Sequence, residues 1–398
     1  MANLPLEIVV DILCRLPVKS LKRFRAVSRW WCLQIDSQDF AKLHLRRSLV
    51  SNSNRNLILG GLALYSIDLG SLDKVHIIKP PFYYKSVDSI TNSCNGLVVV
   101  MSDPPVLWNP FSRYYKVLPD NAIDRPAFED SYCKVAYGFG YDSVNDVYKV
   151  VRVEEVRNSM THVWMYSKAR IYSTKANSWK VIENFPYPLP FLRGNWRVHL
   201  NGALHTLVEK LEHLRSGEFV KIMAFNVKTE KHFEVMMPQG IRFRGVNASL
   251  DVLGGSLCIV SASTSGVGIW AMKEYGVKES WTKLLSIKPP LIERGDFVKP
   301  LVYSGDLEKI LLNFDDKDLV WYDLKKKTIE NVSIDGMPFM FYAEVCVESL
   351  VGFAVPGQVK KLPTEKKKGK KCLNKRLMTF SSETIVVHSI VPFTLSPI

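Results

Sequence analysis

The 398-residue chain has no stretch of about 18 consecutive apolar residues, so no membrane-spanning helix is expected. It also lacks the signs of a secretory leader. Met1-Ala2-Asn3-Leu4-Pro5 carries no basic residue, and Glu7 and Asp11 interrupt the first apolar stretch. No C-x-x-C pair occurs. The seven cysteines stand at 14, 32, 94, 133, 258, 346 and 372, an odd and scattered set that argues against a disulfide framework or a cysteine zinc site. Cytoplasm and/or nucleus is therefore the expected location. Motifs of catalysis are missing too. Gly138-Phe139-Gly140 is not followed by the third glycine of a dinucleotide loop, no helical pattern opens there, and no G-x-S-x-G element is present. His199 and His205 flank the Asn201-Gly202 turn, which places them to face each other across a hairpin. No third or fourth ligand lies near them in sequence, so they are read as structural. No catalytic residue, metal or cofactor is expected.

What the chain does have is 47% apolar residues, enough for a sizeable core, and a net charge of +14. The charge is unevenly spread. Residues 360–376 hold nine basic side chains against one Glu, so +8 of the +14 sits in one tract. Such a run fits a solvated loop, a nuclear localisation signal or a nucleic-acid contact. The tract has no interleaved aromatics, which stacking on single strands would need.

Residues 4–47 differ from everything that follows. Pro5 suits the first position of a helix, and Ile8/Ile12 and Val9/Leu13 are four apart, so each pair shares a face. Pro17 ends that helix at about Leu16, because its ring forbids continuation. A second helix is expected from about Val18 to Ala26. A third, capped by Ser28, should carry Trp31 and Ile35 on one side. Helices this short are marginal alone. Trp30 and Trp31 in so small a unit also point to a partner or neighbouring domain.

From about residue 57 short β-type segments recur with turns between them. An aromatic-led strand, a polar loop and a second strand repeat around Tyr65, Trp108, Tyr172, Phe225, Trp270 and Trp321, with a spacing of about 50 residues. A second repeat places a glycine turn before an apolar strand, at Asn95-Gly96, Asn201-Gly202, Gly254-Gly255 and Gly305-Asp306. Asn-Gly is a strong hairpin signal, because both central residues of a type I′ turn need positive φ. Units of four strands repeated about six times imply a β-propeller of about six blades. The fold class is thus mainly β, with an N-terminal three-helix module. The expected domains are 1–47, then 57–358 with 377–398, and a basic loop at 359–376. A last strand is expected at about 383–390.

The first 44 residues resemble an F-box, through Leu4-Pro5-x-x-Ile8, the run Ile12-Leu13-x-Arg15-Leu16-Pro17-Val18-Lys19-Ser20-Leu21, and Phe24-Arg25-x-Val27-Ser28-Arg29-Trp30-Trp31. The remainder, to about residue 350, resembles the F-box-associated, kelch-like domain of plant F-box proteins. The matching elements are Ser93-Cys94-Asn95-Gly96-Leu97, Leu107-Trp108-Asn109-Pro110, Tyr137-Gly138-Phe139-Gly140-Tyr141-Asp142, Asn177-Ser178-Trp179 and Lys273-Glu274-Tyr275-Gly276.

The resemblance implies a non-catalytic substrate adaptor of a ubiquitin ligase. The F-box would bind a Skp-family adaptor, and through it cullin and RING subunits, while the propeller holds an unidentified protein target. By analogy Leu4, Pro5, Ile8, Ile12, Leu13, Leu16, Pro17, Val18, Leu21 and Val27 form or support the adaptor surface. The target-binding residues are unknown; the segments 120–131, 155–168 and 209–218 are candidates by length and polarity. Because fold does not fix function, a carbohydrate- or ligand-binding propeller is the alternative, and it would need an aromatic-lined funnel with paired carboxylates. A nucleic-acid role through the basic tract is a third reading.

Overall fold

The computed structural model describes residues 5–82, 90–102, 104–119, 130–188, 196, 198–209, 219–238, 248–263, 265–289, 291 and 297–353. All of them fall in one compact unit, Met1–Leu362. The basic tract, the strand expected at 383–390, Leu4, and most of the segments 120–131 and 209–218 lie outside the described residues.

Four helices come first: α1 (Leu6–Cys14), α2 (Val18–Phe24), α3 (Arg29–Ile35) and α4 (Gln38–Val50). Pro5 and Pro17 precede α1 and α2. Ser28 caps α3, its hydroxyl accepting from the Trp31 N–H at 3.2 Å. The three expected helices are present, and α4 is a fourth that carries the module past residue 47. Ser37 caps it in the same way, accepting from the Phe40 N–H. Between caps, the helices close around Leu13, Cys14, Val18, Leu21, Ile35, Phe40 and Ala41.

The strands form six sheets in chain order. The first blade holds β1 (Arg55–Gly60), β2 (Leu64–Asp68) and β3 (His76–Ile78). The second holds β4 (Val98–Val100), β5 (Val106–Trp108) and β6 (Tyr115–Val117). β7 (Ser131–Asp142), β8 (Val147–Asn158), β9 (Trp164–Ser173) and β10 (Ser178–Ile182) make the third. β11 (Val198–Leu200), β12 (Ala203–Glu209), β13 (Phe219–Asn226) and β14 (Lys231–Val235) make the fourth. The fifth is β15 (Ala248–Leu253), β16 (Ser256–Ser263), β17 (Gly266–Met272) and β18 (Trp281–Ile287). The sixth is β19 (Val298–Tyr303), β20 (Lys309–Phe314), β21 (Asp318–Asp323) and β22 (Ile329–Asn331). The last described strand, β23 (Tyr342–Val347), returns to pair antiparallel with β1, Arg55 opposite Val347 and Gly60 opposite Tyr342. The ring is therefore closed by hydrogen bonds between its two ends. In the second blade the innermost strand is reduced, among the described residues, to two isolated bridges, Ile90 to Val100 and Cys94 to Leu97.

Six buried clusters each join two neighbouring blades, one for every pair around the ring. Blade-to-blade burial with no gap is what separates a closed propeller from an open sandwich. The six recurring aromatics all sit on the third strand of their blades, on β2, β5, β9, β13, β17 and β21. Trp108, Tyr172 and Phe225 are fully buried. The glycine turns join the first and second strands. Asn95-Gly96, Asn201-Gly202 and Gly254-Gly255 each have two positive φ values in succession, as a type I′ turn requires. At the sixth blade the positive φ falls on Leu307 rather than on Gly305.

Segment 155–168 is ladder rather than loop. Glu155 pairs with Ser167 and Val156 with Tyr166, so β8 and β9 run out to a tip at about 159–163. His199 and His205 do not face each other. Val198 pairs with His205 and His199 with Leu204, and this one-residue offset sends the two rings to opposite faces of the blade.

Candidate functional site

The helical module has one face buried and one face open. α1 turns Leu13 and Cys14 inward, 1% and 2% exposed, while Leu6, Ile8 and Ile12 stand 47–50% exposed on its other side. The α2–α3 region adds Val27 at 61%, Trp30 at 42% and Leu33 at 65%. Six large apolar side chains left in water on so few residues are a strong departure from a surface that has no partner. Around them α1 is held by charge. Asp11 accepts from Arg15 at 2.6 Å and also pairs with Arg47 of α4. Both guanidiniums keep the Asp11 carboxyl below its ordinary range. Arg25 bridges to Asp36 at 2.5 Å, tying α2 to the end of α3. The buried His44 ring donates through Nε2 to the Leu16 carbonyl at 2.9 Å, which fixes the α1–α2 corner against α4.

The residues named from sequence therefore divide. Pro5, Ile8, Ile12, Pro17 and Val27 are exposed and available to a partner. Leu16 is half-buried. Leu13, Val18 and Leu21 are 0–1% exposed and support the face from beneath without presenting any of it. Leu6, Trp30 and Leu33 belong to the exposed set. Trp30 was visible in the sequence as an oversized residue in a small module; Leu6 and Leu33 gave no comparable signal.

The buried face of the module is anchored to the propeller. Leu350 and Phe111 pack into the helical cluster, and Leu45 of α4 joins the cluster between the second and third blades. The Val18 N–H at the start of α2 donates to Glu348 Oε2 at 2.9 Å, and Asn56 Nδ2 donates to Glu348 Oε1 at 3.1 Å. Glu348 thus supplies, from the propeller, an acceptor that Pro17 cannot offer as a helix cap. Burial raises the Glu348 pKa, and these two donors work in the opposite direction. Lys22 Nζ reaches the Phe111 carbonyl at 2.6 Å, and Lys42 pairs with Asp146 at 2.5 Å. Asp146 lies in the turn between the first and second strands of the third blade, and Phe111 in the β5–β6 turn. The helices consequently occupy the end of the propeller where β1 begins and β23 finishes.

A cavity of about 900 Å³ runs along the inner strands. Its polar floor is Lys299, bonded to Glu344 Oε2 at 2.8 Å, Tyr342 OH at 3.0 Å and the Ala343 carbonyl at 2.9 Å, with Asp251 at 3.8 Å. Burial opposes the Lys299 charge; Glu344, Tyr342 and Asp251 outweigh it and raise its pKa. Both carboxylates are thus engaged by one ammonium, and Tyr303 and the His199 ring are the aromatics among the described lining residues. That is unlike the aromatic funnel with free paired carboxylates that a carbohydrate site would need. His205 is buried and His199 half-buried, and removal from water pushes each pKa down to about 4. His205 Nε2 lies 2.6 Å from Tyr275 OH. Among the described residues no cluster of His, Cys, Asp and Glu is arranged to hold a metal ion.

Comparison with known families agrees with this two-part geometry. Residues 1–43 match the F-box domain, and residues 62–351 match the F-box associated beta propeller domain. The chain belongs to the F-box proteins with an F-box-associated β-propeller. The Arabidopsis thaliana F-box protein CPR1 is 36% identical over 372 residues, covering 88% of this chain and 89% of that protein. F-box protein At4g22390 from the same plant is 29% identical over 368 residues, covering 88% and 90%. The F-box/kelch-repeat protein At3g23880 is 30% identical, covering 78% of this chain and 85% of its own length. The open helical face is the F-box. Its four helices and the six blades share buried core, so the two domains form one body through residues 5–353.

Proposed function

We propose that this F-box protein is the substrate-recognition subunit of a Skp–cullin–F-box ubiquitin ligase, without bond chemistry of its own, and that its blades are of the kelch-like type. The observation that carries the reading is the open apolar face of the F-box, opposite a face firmly anchored to the propeller. Large side chains half to two-thirds exposed are suited to fill the groove of an adaptor, the helix-in-groove mode of recognition. Burying the remaining surface of six such residues would contribute roughly 5–8 kcal/mol before the costs of association. Cullin and RING subunits would follow through the adaptor. The receptor would act by effective concentration, holding a target's lysines near charged ubiquitin. A rigid joint between F-box and propeller serves this, since a loose one would spread the target over a larger volume. Cytoplasm and/or nucleus is the proposed setting, which imaging of a tagged full-length chain would check.

Co-expression with a plant Skp-family adaptor tests the reading. The wild-type chain should co-purify with the adaptor, and the double variant Leu16→Ala, Pro17→Ala should not. Equal recovery of both would remove the docking assignment.

A further inference from the structure

The end of the propeller away from the F-box carries its own unpartnered apolar cluster. The inner strands set its position. β1 runs from Arg55 at the F-box end to Gly60 at the far end, and β23 runs back beside it from Tyr342 to Val347. Six residues at about 3.3 Å each put the far end about 20 Å away. Three segments converge there. The first is the tight turn that links β1 to β2, closed by Gly61 N–H to the Ala63 carbonyl at 3.0 Å, with Leu62 at its apex. The second is the connection into β23, which holds Phe339 and Met340. A Cβ placed on Gly61 would sit 3.3 Å from the Met340 carbonyl, so these two segments touch. The third is the β20–β21 turn, Asp315-Asp316-Lys317-Asp318, whose Asp316 carbonyl accepts the Phe341 N–H at 2.7 Å.

Leu62 is 98% exposed, Phe339 86% and Met340 52%. A Leu and a Phe almost wholly in water on two touching segments, with a half-exposed Met, form the kind of centre that anchors a protein interface. The β20–β21 turn bonded to this connection carries three carboxylates and one lysine. Asp315 accepts the Phe297 N–H at 2.6 Å and Asp316 accepts from Asn313 at 3.0 Å, which fixes the turn. Acidic charge beside an apolar centre selects the opposite charge in what docks there.

We infer that Leu62, Phe339 and Met340, bordered by Asp315, Asp316 and Asp318, capture the target protein, and that the captured segment presents large apolar side chains next to Lys or Arg. The inference rests on the receptor reading only in calling the captured protein a ligase target. It also separates the two tasks of the molecule onto opposite ends, so that adaptor and target never compete for surface.

The test selects a phage-displayed library of random 12-residue peptides on the purified full-length protein, counter-selected on the double variant Leu62→Ser, Phe339→Ser, with adaptor binding of both measured separately. Both substitutions are at exposed positions, and equal melting temperatures verify that the variant is folded. The expected result is enrichment of peptides with Leu, Ile, Phe or Met beside Lys or Arg. They should bind wild type at least tenfold tighter than the variant, with an affinity that falls as salt rises and as Asp315 and Asp318 are changed to Asn. Peptides that are acidic or neutral, or that bind wild type and variant equally, would overturn the assignment, as would a library that yields no discriminating binder. Intact adaptor binding alongside such a failure leaves the ligase reading standing. Loss of adaptor binding alongside the expected peptides does the reverse.

Discussion

Replacing Glu348 with alanine should loosen α2 of the F-box on the propeller while leaving the blades folded. The carboxylate accepts the Val18 N–H at 2.9 Å and Asn56 Nδ2 at 3.1 Å. Alanine would leave the first donor of α2 without an acceptor and remove a negative charge from that helix start. Hydrogen bonds to a charged group contribute about 1.5–3 kcal/mol each. Part of this is offset, because burial of the carboxylate is itself unfavourable, as its raised pKa shows. A net loss of about 2–3 kcal/mol is the expectation, or a roughly 30- to 150-fold rise in local opening. Hydrogen–deuterium exchange reads this directly. Amides of α2 should exchange faster by about that factor, while those of the inner blade strands keep their protection. Glu348→Gln retains an acceptor oxygen and should give a much smaller change. Unchanged exchange across residues 18–24 in the alanine variant would refute the idea that Glu348 couples the two domains.

Three further outcomes follow from the propeller. Gly96 and Gly202 occupy equivalent turns with φ of +79° and +72°, but a Cβ on Gly96 would lie 2.5 Å from the Val347 carbonyl, whereas one on Gly202 meets nothing within 4 Å. Gly202→Ala should cost about 1 kcal/mol of backbone strain and Gly96→Ala at least twice that by chemical denaturation; equal costs would discount the contact. Removing the cation with Lys299→Met takes from the half-buried Glu344 the ammonium that bonds it, and from Asp251 one of its charge contacts, and should cost about 3 kcal/mol, with partial recovery when Glu344→Gln is added. A melting temperature within 1–2 °C of wild type would contradict this, since a few kcal/mol moves a domain of this size by more. For His199 and His205 the folded pKa of about 4 lies below the ordinary 6.5. Their contribution is therefore complete above pH 6.5 and is lost as the pH falls from 6.5 towards 4, at up to about 1.4 kcal/mol per pH unit for each ring. Urea midpoints at pH 7.5 and pH 5 should differ, and the difference should shrink in His199→Gln and His205→Gln; identical midpoints would sink the assignment.

Local pattern carried most of the fold. The aromatics at Tyr65, Trp108, Tyr172, Phe225, Trp270 and Trp321 recur because each fills the same third-strand position, so their period is the blade period. Asn95-Gly96 and Asn201-Gly202 were legible because positive φ at two successive residues restricts residue choice. The fourth helix was harder to see. Gln38–Val50 puts His44 and Ser48 into its buried stripe beside Phe40, Ala41 and Leu45, which breaks the apolar period, and its cap is the single hydroxyl of Ser37. Long-range events left no local mark. Glu348 lies 330 residues from the helix it holds, and β23 closes a ring opened by β1 almost 290 residues earlier. The same blindness affected the candidate site. Sequence spacing places Leu13, Val18 and Leu21 beside Ile8 and Ile12, but only packing decides which side faces α4 and which faces water. The register of His199 and His205, by contrast, follows from the two-residue Asn201-Gly202 turn, which pairs 199 with 204 and 198 with 205 and so separates the two rings.

Affinity of the purified full-length protein for a Skp-family adaptor, measured by titration calorimetry, tests the central claim most directly. Ile8 and Ile12 are each 47% exposed, so truncating both to alanine removes about 2–3 kcal/mol of burial on docking. The account predicts tight binding by wild type, a roughly 30- to 150-fold weaker complex for Ile8→Ala, Ile12→Ala, and wild-type affinity for Leu62→Ser, Phe339→Ser at the opposite end. A wild-type chain that does not bind the adaptor, or an Ile8→Ala, Ile12→Ala variant that binds as tightly as wild type, would contradict it.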